Sequence, residues 1–229
     1  MAQRPVFIPH FTSPPYYEEV MVEFEWSAGL SFSQKQKNVI SLHRAAEKRH
    51  LTPLLEISTK SPEPLGVRLS AFNLSFTHPE LGALSVESAF QGSKVFEHGG
   101  PFTEFYQMTG REIRKDERLR NSGQLLYFDL SGDRWGLEPK TAFYDWLYMN
   151  AAKRVPDLWG QLQSYRGFTD IEFNPQKSIN CQARTMAIVY SLLMIPRLAH
   201  VLKDKTTFLA LVYGYSESKN TEFNQLTFL

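Results

Sequence analysis

The spacing of apolar residues near the start of the chain predicts a strand followed by a helix. Residues 20–26 alternate apolar and polar side chains, as half-buried strands do, whereas residues 1–17 are rich in proline and aromatic residues and predict an irregular arm. Residues 34–48 repeat apolar side chains with the helical period, and Ser33 would cap that helix. The first part of the chain is therefore predicted to mix strand and helix.

The middle of the chain combines short apolar runs with longer helical patterns. Apolar runs predict strands at residues 54–57 and 67–74. Ser85 is a typical N-cap residue for a helix over residues 85–96, and a mixed-charge segment predicts a further helix over residues 101–120. This region is predicted to be mainly helical.

The last third of the chain contains the most apolar predicted helix. Residues 180–195 are apolar on nearly every side, which predicts a central helix that Pro196 would kink. Pro139 suits the first turn of a helix over residues 140–153, and residues 207–213 predict a late edge strand.

The whole pattern predicts an α+β fold. No repeat and no shift in composition divides the chain, so we expect a single, mainly helical domain over residues 1–229 with a small sheet and a ligand cleft. Within it, a strand and helix extension over residues 1–60 would precede a core over residues 65–204, which contains the helix at 85–96.

Composition narrows the classes of function. The formal net charge of the 229 residues is +1, which argues against a protein that coats nucleic acid through its overall charge. Cys181 is the single cysteine, so an intramolecular disulfide and a C-x-x-C metal site are excluded. The six histidines show no ligand spacing, and no run approaches 18 apolar residues. We expect a cytoplasmic protein with no metal, no cofactor and no membrane contact.

One helix in the middle of the chain is predicted to present a polar stripe. Glu87, Gln91 and Lys94 stand at positions i, i+4 and i+7, so that one face of a small, apolar helix would bear a carboxylate, an amide and an amine. Such a face could line a pocket that binds a ribose. An exposed helix with a solvated Glu–Lys stripe is the alternative.

Two neighbouring segments resemble the NADAR family. The segment LSAFN at 69–73 is similar to the family's Leu-Ser-Asn-Phe-like strand, and SVESAFQGSKVF at 85–96 is similar to its Val-Glu-His-x-Phe-Gln-x-x-Lys-Phe helix. Further segments at 138–148, 168–175 and 178–184, together with Trp135, resemble one subgroup, the NADAR antitoxins paired with DarT-type guanine ADP-ribosyltransferase toxins. The similarity extends over residues 4–193.

The resemblance implies a cleft for ADP-ribose and hydrolysis of the N-glycosidic bond between that ribose and guanine. Glu87 matches the family's catalytic glutamate and Lys94 its helix lysine. The family's His is Ser88 here, and its Asp-x-x-Trp-Gly is replaced by Asp-Ile-Glu-Phe from Asp170. The implied partners are ADP-ribosylated guanine in single-stranded DNA or RNA, the product ADP-ribose and a cognate DarT-type toxin.

Further residues are candidates for binding the ligand. Trp135 and Trp146 could stack on a purine, although aromatic residues at helical spacing are more often core residues. Asn180 as an N-cap, with Arg184 in the first turns, could bind a diphosphate, or the two could serve ordinary capping and a salt bridge. The predicted ligand-binding residues are Asn73, Gln91, Trp135, Asp145, Trp146, Asp170, Asn180 and Arg184, beside the catalytic Glu87 and Lys94.

Two other features have a structural reading beside a functional one. The helix at 34–48 has a basic face that could contact nucleic acid or could simply be solvated; it comprises Lys35, Lys37, Arg44, Lys48 and Arg49. Cys181 could be a nucleophile, but no histidine lies near it in sequence, which favours a buried structural cysteine.

The sequence leaves both the mechanism and the substrate open. Glu87 could stabilise positive charge at the anomeric carbon or transfer a proton, and the helix dipole should favour its anion. Lys94 could instead attack the ring-opened sugar and form a Schiff base. The alternatives to a glycohydrolase on nucleic acid are an N-glycosidase on a free nucleotide, as in the riboflavin pathway, and a non-catalytic protein that neutralises a toxin by binding it.

Overall fold

The computed structural model describes residues 1–29 and 31–215. Its strands are β1 (Ala2–Pro9), β2 (Tyr17–Phe24), β3 (Leu54–Glu56), β4 (Ser75–His78), β5 (Gly82–Ser85), β6 (Lys94–Phe96), β7 (Leu125–Leu130), β8 (Asp133–Trp135) and β9 (Gly167–Thr169). Its α-helices are α1 (Phe32–Glu47), α2 (Pro64–Arg68), α3 (Val86–Gly92), α4 (Gly110–Ile113), α5 (Arg118–Asn121), α6 (Ala142–Ala152), α7 (Leu158–Leu162), α8 (Gln182–Met194), α9 (Leu198–Val201) and α10 (Lys205–Tyr213). A 3₁₀ helix covers Thr103–Gln107. The mixed content confirms the α+β prediction.

The largest sheet joins the start of the chain to its later part. Its strand order is β2-β1-β9-β3; β1 runs antiparallel to both β2 and β9, and β9 runs parallel to β3. The predicted irregular arm at residues 1–17 is therefore wrong over residues 2–9, because Val6 and Phe7 of β1 are fully buried and the backbone of β1 pairs along the whole of β2. Residues 10–16, between the two strands, are irregular as predicted. Smaller sheets are formed by β4 with β5 and by β6, β7 and β8 in that order.

Helices α6 and α8 lie at the centre of the main core. Both helices have buried residues on nearly every side, as the sequence predicted for residues 180–195. Helix α8 packs against β1, β9 and α6, and α6 packs against α3. The predicted helices at 34–48, 140–153 and 180–195 are confirmed with shifted ends, as are the strands at 20–26 and 54–57.

Three predicted elements are wrong. Residues 67–74 form no strand, because Pro64 starts α2 and a turn follows it. Residues 101–120 break into the 3₁₀ helix, α4 and α5, since a capping box between Thr109 and Glu112 starts a new helix at Gly110. Residues 207–213 belong to α10, where Asp204 caps the helix by accepting a hydrogen bond from the backbone N–H of Thr207.

The helix predicted over residues 85–96 is shorter than expected. Ser85 is its N-cap as predicted, but α3 ends at Gly92 and Lys94 begins β6. Gly92 packs against Tyr106, where an added Cβ atom would lie 2.4 Å from the ring atom Cε1, and Lys94 then pairs with Phe128 of β7. Strand pairing therefore replaces the last turn of the predicted helix.

No α-helix in residues 1–29 and 31–215 is long and apolar enough to cross a membrane.

Gly66 should be intolerant of a side chain, because an added Cβ atom would lie 1.9 Å from the backbone oxygen of Glu56 and 2.4 Å from Ser61 Oγ. We expect Gly66→Ala to lower the free energy of unfolding by about 1–3 kcal/mol, the usual cost of overpacking. Denaturant unfolding would measure it. Gly136→Ala is the matched control, since an added Cβ atom there would lie 3.6 Å or more from its neighbours. Equal stability of the two variants would contradict this close packing.

Candidate active site

Helix α3 places two of the predicted residues on one wall of a cavity. Ser85 caps the helix by accepting a hydrogen bond from the backbone N–H of Ser88 at 3.0 Å. Val86, Ala89 and Phe90 pack into the core, so Glu87 and Gln91 face away from it. The amide Nε2 of Gln91 donates a hydrogen bond to Glu87 Oε1 at 3.2 Å, which fixes the carboxylate relative to the helix.

The cavity in front of α3 has a volume of about 310 Å³, and we call it the central cavity. It contains five of the predicted site residues together with several that the sequence did not indicate. Its lining includes Phe72, Glu87, Phe90, Gln91, Lys94, Arg114, Tyr144, Asp170, Glu172, Asn180 and Gln182.

Lys94 reaches the central cavity from β6 and not from a helix. The prediction of a three-residue helical stripe is therefore wrong in its geometry, although Glu87, Gln91 and Lys94 do line one cavity. The Lys94 Nζ atom lies 5.0 Å from the ring centroid of Phe90. A strand residue next to a helix of seven residues can face the same space as the helix.

Burial acts in opposite directions on the two candidate catalytic groups. It raises the pKa of Glu87, which the charges of Arg114 and Lys94 lower only in part. It lowers the pKa of Lys94, which the charge of Glu87 raises only in part. The expectation that the helix dipole would favour the Glu87 anion is wrong, because desolvation outweighs the position in the first turn. Both groups are shifted toward their neutral forms.

The segment between β9 and α8 forms the opposite wall. Burial raises the pKa of Asp170 well above its usual range, and the nearby Glu56 raises it further. Asp170 accepts a hydrogen bond from the backbone N–H of Glu172 at 3.0 Å. Asn180 is not the predicted N-cap, since Cys181 holds that position and α8 begins at Gln182. Asn180 instead lines the cavity.

Two larger cavities adjoin the central cavity. The aromatic cavity, of about 670 Å³, shares Phe90, Lys94, Tyr144, Ser178 and Asn180 with it and is also lined by Phe128, Lys140, Thr141 and Lys177. The basic groove, of about 750 Å³, shares Phe72 and Arg114 with it and is also lined by Lys60, Asn73, Tyr106, Met108 and Arg111. The central cavity thus shares lining residues with each of the other two, and we call the three together the cleft.

Arg184 lies outside this cleft, so the predicted diphosphate site with Asn180 is wrong. Its Nη2 atom donates hydrogen bonds to Asp145 Oδ2 at 2.7 Å and to Thr141 Oγ1 at 2.8 Å. Asp145 is fully buried, and Thr185 and Tyr213 also donate to it. Arg184 and Asp145, both predicted to bind the ligand, therefore form a buried ion pair. Its Arg184 end faces a separate cavity beside Tyr17 and Tyr213.

The two predicted stacking tryptophans belong to the core. Trp135 is 2% exposed, and its ring centroid lies 5.7 Å from that of Phe143 and 5.6 Å from that of Trp146. Trp146 also packs edge-on against Phe208. The prediction that Trp135 stacks on a ligand is wrong because its ring is enclosed by residues of α6 and α10. Trp146 is half-buried, packs against the core and lines none of the three cavities.

Asn73 does not reach the central cavity either. Its side chain donates a hydrogen bond to the backbone oxygen of Val67 at 2.8 Å, and the residue lines the basic groove. It closes the turn after α2.

Several cavity residues were not predicted from the sequence. Gln182 accepts a hydrogen bond from the backbone N–H of Ala71 at 2.8 Å and also bonds Asp170. It lies inside the segment 178–184 that carried the resemblance, so that segment was the available signal. Tyr144 lies inside the segment 138–148, which also carried the resemblance. Arg114 gave no signal, because its place in the cavity depends on α4, which is packed against α3.

The described residues include no group of three or more His, Cys, Asp or Glu side chains that could bind a metal ion. Cys181 is 1% exposed, and burial raises its pKa well above the usual range. A thiol in this state is a poor nucleophile, which supports the structural reading of Cys181.

Replacing Arg184 should destabilise the fold, because Arg184→Ala leaves the buried Asp145 carboxylate without its counter-ion. We expect a loss of about 3–5 kcal/mol in the free energy of unfolding, measured by denaturant unfolding, with unchanged affinity of the folded protein for ADP-ribose. Arg134→Ala is the matched control, since the Arg134 side chain is 71% exposed and its pair with Asp129 contributes at most about 1 kcal/mol. Weaker ADP-ribose binding at unchanged stability would show that Arg184 reaches the ligand.

The family model of the DarT1-associated NADAR antitoxins matches residues 2–222. No curated protein matches the chain.

Proposed function

Because the chain belongs to the family of DarT1-associated NADAR antitoxins, we propose that it is an ADP-ribosyl glycohydrolase that removes ADP-ribose from guanine bases in nucleic acid. As an antitoxin, it would reverse the modification made by a guanine-specific ADP-ribosyltransferase. Its substrate would place this activity in the cytoplasm.

One observation supports the enzymatic reading above the others: Glu87 and Lys94 line the same cavity, and burial shifts the pKa of each toward its neutral form. A raised carboxyl pKa is typical of a group that donates a proton, and a lowered amine pKa is typical of a nucleophilic lysine. A pair of titratable groups shifted in opposite directions in one cleft is a common property of active sites.

Two buried polar atoms support a ligand in the central cavity. Within residues 1–29 and 31–215, neither Gln91 Oε1 nor Asn180 Oδ1 has a hydrogen-bond partner. Arg4 Nε, Gln34 Oε1 and Arg184 Nε also have no partner among the described residues, but of these five residues only Gln91 and Asn180 line the central cavity. Their two oxygens are therefore available to the hydroxyl groups of a ribose there. We place the ribose next to guanine here, within reach of Glu87 and Lys94.

The aromatic cavity fits the remainder of ADP-ribose. Phe90, Phe128 and Tyr144 offer aromatic surface for an adenine ring, and Lys140 and Lys177 offer positive charge for a diphosphate. It shares Lys94 with the central cavity, which would align the adenosine diphosphate and the ribose next to guanine. This arrangement replaces the diphosphate site that the sequence suggested at Arg184.

The reaction can proceed through the lysine. In the ring-opened substrate, the neutral amine of Lys94 adds to the anomeric carbon, and the bond from that carbon to the guanine nitrogen breaks as Glu87 donates a proton to the leaving nitrogen. Water then adds to the lysine imine and releases ADP-ribose and the free amine. In the other route, Glu87 supports direct attack of water on a cationic anomeric carbon, and Lys94 only orients the sugar.

Two other functions would use the same family fold differently. An N-glycosidase on a free nucleotide would use the central cavity but would require no nucleic-acid strand attached to its substrate. A non-catalytic protein that binds a DarT-type toxin would not require Glu87 or Lys94. The desolvation of both groups favours an enzyme over a binding protein, because it destabilises the charged forms without serving the fold.

We expect the purified protein to release ADP-ribose from a guanine-ADP-ribosylated single-stranded oligonucleotide and to leave unmodified guanine, without added metal or nucleotide. Mass spectrometry of the oligonucleotide and chromatography of the released ADP-ribose would measure the reaction. An oligonucleotide that stays modified, beside a free nucleotide N-glycoside that is cleaved, would favour the free-nucleotide reading. Loss of activity in a chelator would contradict a metal-free mechanism.

Glu87→Gln should lower turnover by about 10²–10⁴-fold while ADP-ribose still binds, because the amide keeps the size of the side chain but cannot exchange the proton. Lys94→Ala should abolish turnover if the imine is obligatory, and borohydride should then trap a covalent adduct with the wild-type protein but not with the variant. Glu117→Gln and Lys115→Ala, at exposed positions, are matched controls. If both cavity variants fold and retain normal turnover, the catalytic assignment is wrong.

A further inference from the structure

We propose that the basic groove binds the nucleic-acid strand that flanks the modified guanine, on the opposite side of the central cavity from the adenosine diphosphate. This inference rests on the proposed function. It assigns a direction to the substrate in the cleft and a set of residues to the strand.

The basic groove adjoins the central cavity and shares part of its lining. Phe72 and Arg114 line both, so a nucleotide whose ribosyl bond lies beside Glu87 would direct its own strand along the groove. The aromatic cavity opens from the central cavity through a different wall, formed by Lys94, Tyr144 and Asn180. The adenosine diphosphate and the nucleic-acid strand differ in size and charge distribution. The aromatic cavity would take the first and the basic groove the second.

The charge of the groove favours a polyanion. Lys60, Arg111 and Arg114 line it, and none of its described lining residues is an acid. The nearby Glu112 directs its carboxylate back to the backbone N–H and the hydroxyl of Thr109, as part of the capping box. Because phosphate contacts by lysine and arginine supply most of the affinity for nucleic acid, three cations beside the reacting base suit a strand of two or three nucleotides.

The groove also offers surfaces for the bases. The guanidinium of Arg114 lies 4.5 Å from the ring centroid of Phe72, at the boundary with the central cavity, and Tyr106 and Met108 line the groove beyond it. Aromatic rings and arginine planes stack on bases of any sequence. The groove can therefore bind a single strand through its backbone and its bases without selecting a sequence.

The basic face of α1 is the competing surface, and its charge is less favourable. Lys37, Arg44, Lys48 and Arg49 line a separate groove, but Glu23 and Glu25 line the same groove. Lys35 is paired with Glu172 at 3.0 Å. The groove on α1 shares no lining residue with the central cavity, and the comparison variant leaves the pair of Lys35 with Glu172 intact, so this groove serves as the comparison in the test.

The test compares two substrates, a guanine-ADP-ribosylated oligonucleotide and free ADP-ribosylated guanosine. We expect the double variant Lys60→Ala/Arg111→Ala to lower kcat/KM for the oligonucleotide by about 10-fold or more at moderate salt, and to reduce the dependence of log kcat/KM on log salt by about 1.4, or 0.7 for each lost contact with a single strand. Turnover of free ADP-ribosylated guanosine and calorimetric affinity for ADP-ribose should not change. Lys37→Ala/Arg44→Ala, which removes the same charge from α1, should leave all four quantities unchanged.

Each other outcome overturns the inference. Weaker ADP-ribose binding by Lys60→Ala/Arg111→Ala would show that the groove binds the diphosphate. A larger loss for Lys37→Ala/Arg44→Ala would assign the strand to α1, and equal kcat/KM of all proteins on the oligonucleotide would show that neither surface binds it. If the wild-type protein cleaves neither substrate, the proposed function itself is wrong.

Discussion

The structure depends on how one buried carboxyl group is paired. Glu56, the last residue of β3, is 1% exposed; its Oε1 atom accepts hydrogen bonds from the Ser58 hydroxyl at 2.6 Å and the Ile171 N–H at 2.8 Å, and its Oε2 atom accepts one from the Thr169 hydroxyl at 2.7 Å. A buried acid is stable only when its oxygens are paired in this way. The bonds join β3 to the end of β9 and fix the backbone on both sides of Asp170. One wall of the central cavity is therefore positioned by the pairing of Glu56.

Asp145 is a buried acid of the same kind, whereas the half-buried Glu87 differs from both. Asp145 accepts hydrogen bonds from Arg184, Thr141, Thr185 and Tyr213, and such a fully paired group contributes to the fold and its specificity. Glu87 accepts a side-chain hydrogen bond from Gln91 alone among the described residues and faces a cavity with Lys94. An incompletely paired carboxyl group that is removed from water destabilises the fold, and its shifted pKa is typical of catalytic residues. Incomplete pairing and a place on the cavity wall distinguish Glu87 from the structural carboxylates Glu56 and Asp145.

The sequence predicted those features that depend on local pattern. The Ser85 cap, the apolar α8 and the helical face with Glu87 and Gln91 follow from spacing within a few residues, and the resemblance identified the family. It did not predict the β6 strand that presents Lys94, because that strand forms only when β7 pairs with it. Trp135 and Arg184 were assigned to the ligand because residue type alone does not distinguish a stacking or phosphate-binding side chain from one enclosed by α6, α8 and α10. The signal for the Glu56 network is the single Glu in the apolar run at 54–57, because an acid buried in such a strand needs hydrogen-bond partners.

Glu87 and Lys94 share a cavity in which burial lowers the pKa of the Lys94 amine. Heteronuclear NMR of the protein with isotopically labelled lysine, titrated with pH, measures the pKa of the Lys94 amine directly. The structure predicts a pKa below the ordinary 10.5 of lysine, and a further decrease in Glu87→Gln, because the neighbouring carboxylate charge is what raises it. A Lys94 pKa at the ordinary value that does not respond to Glu87→Gln would contradict the shared cavity.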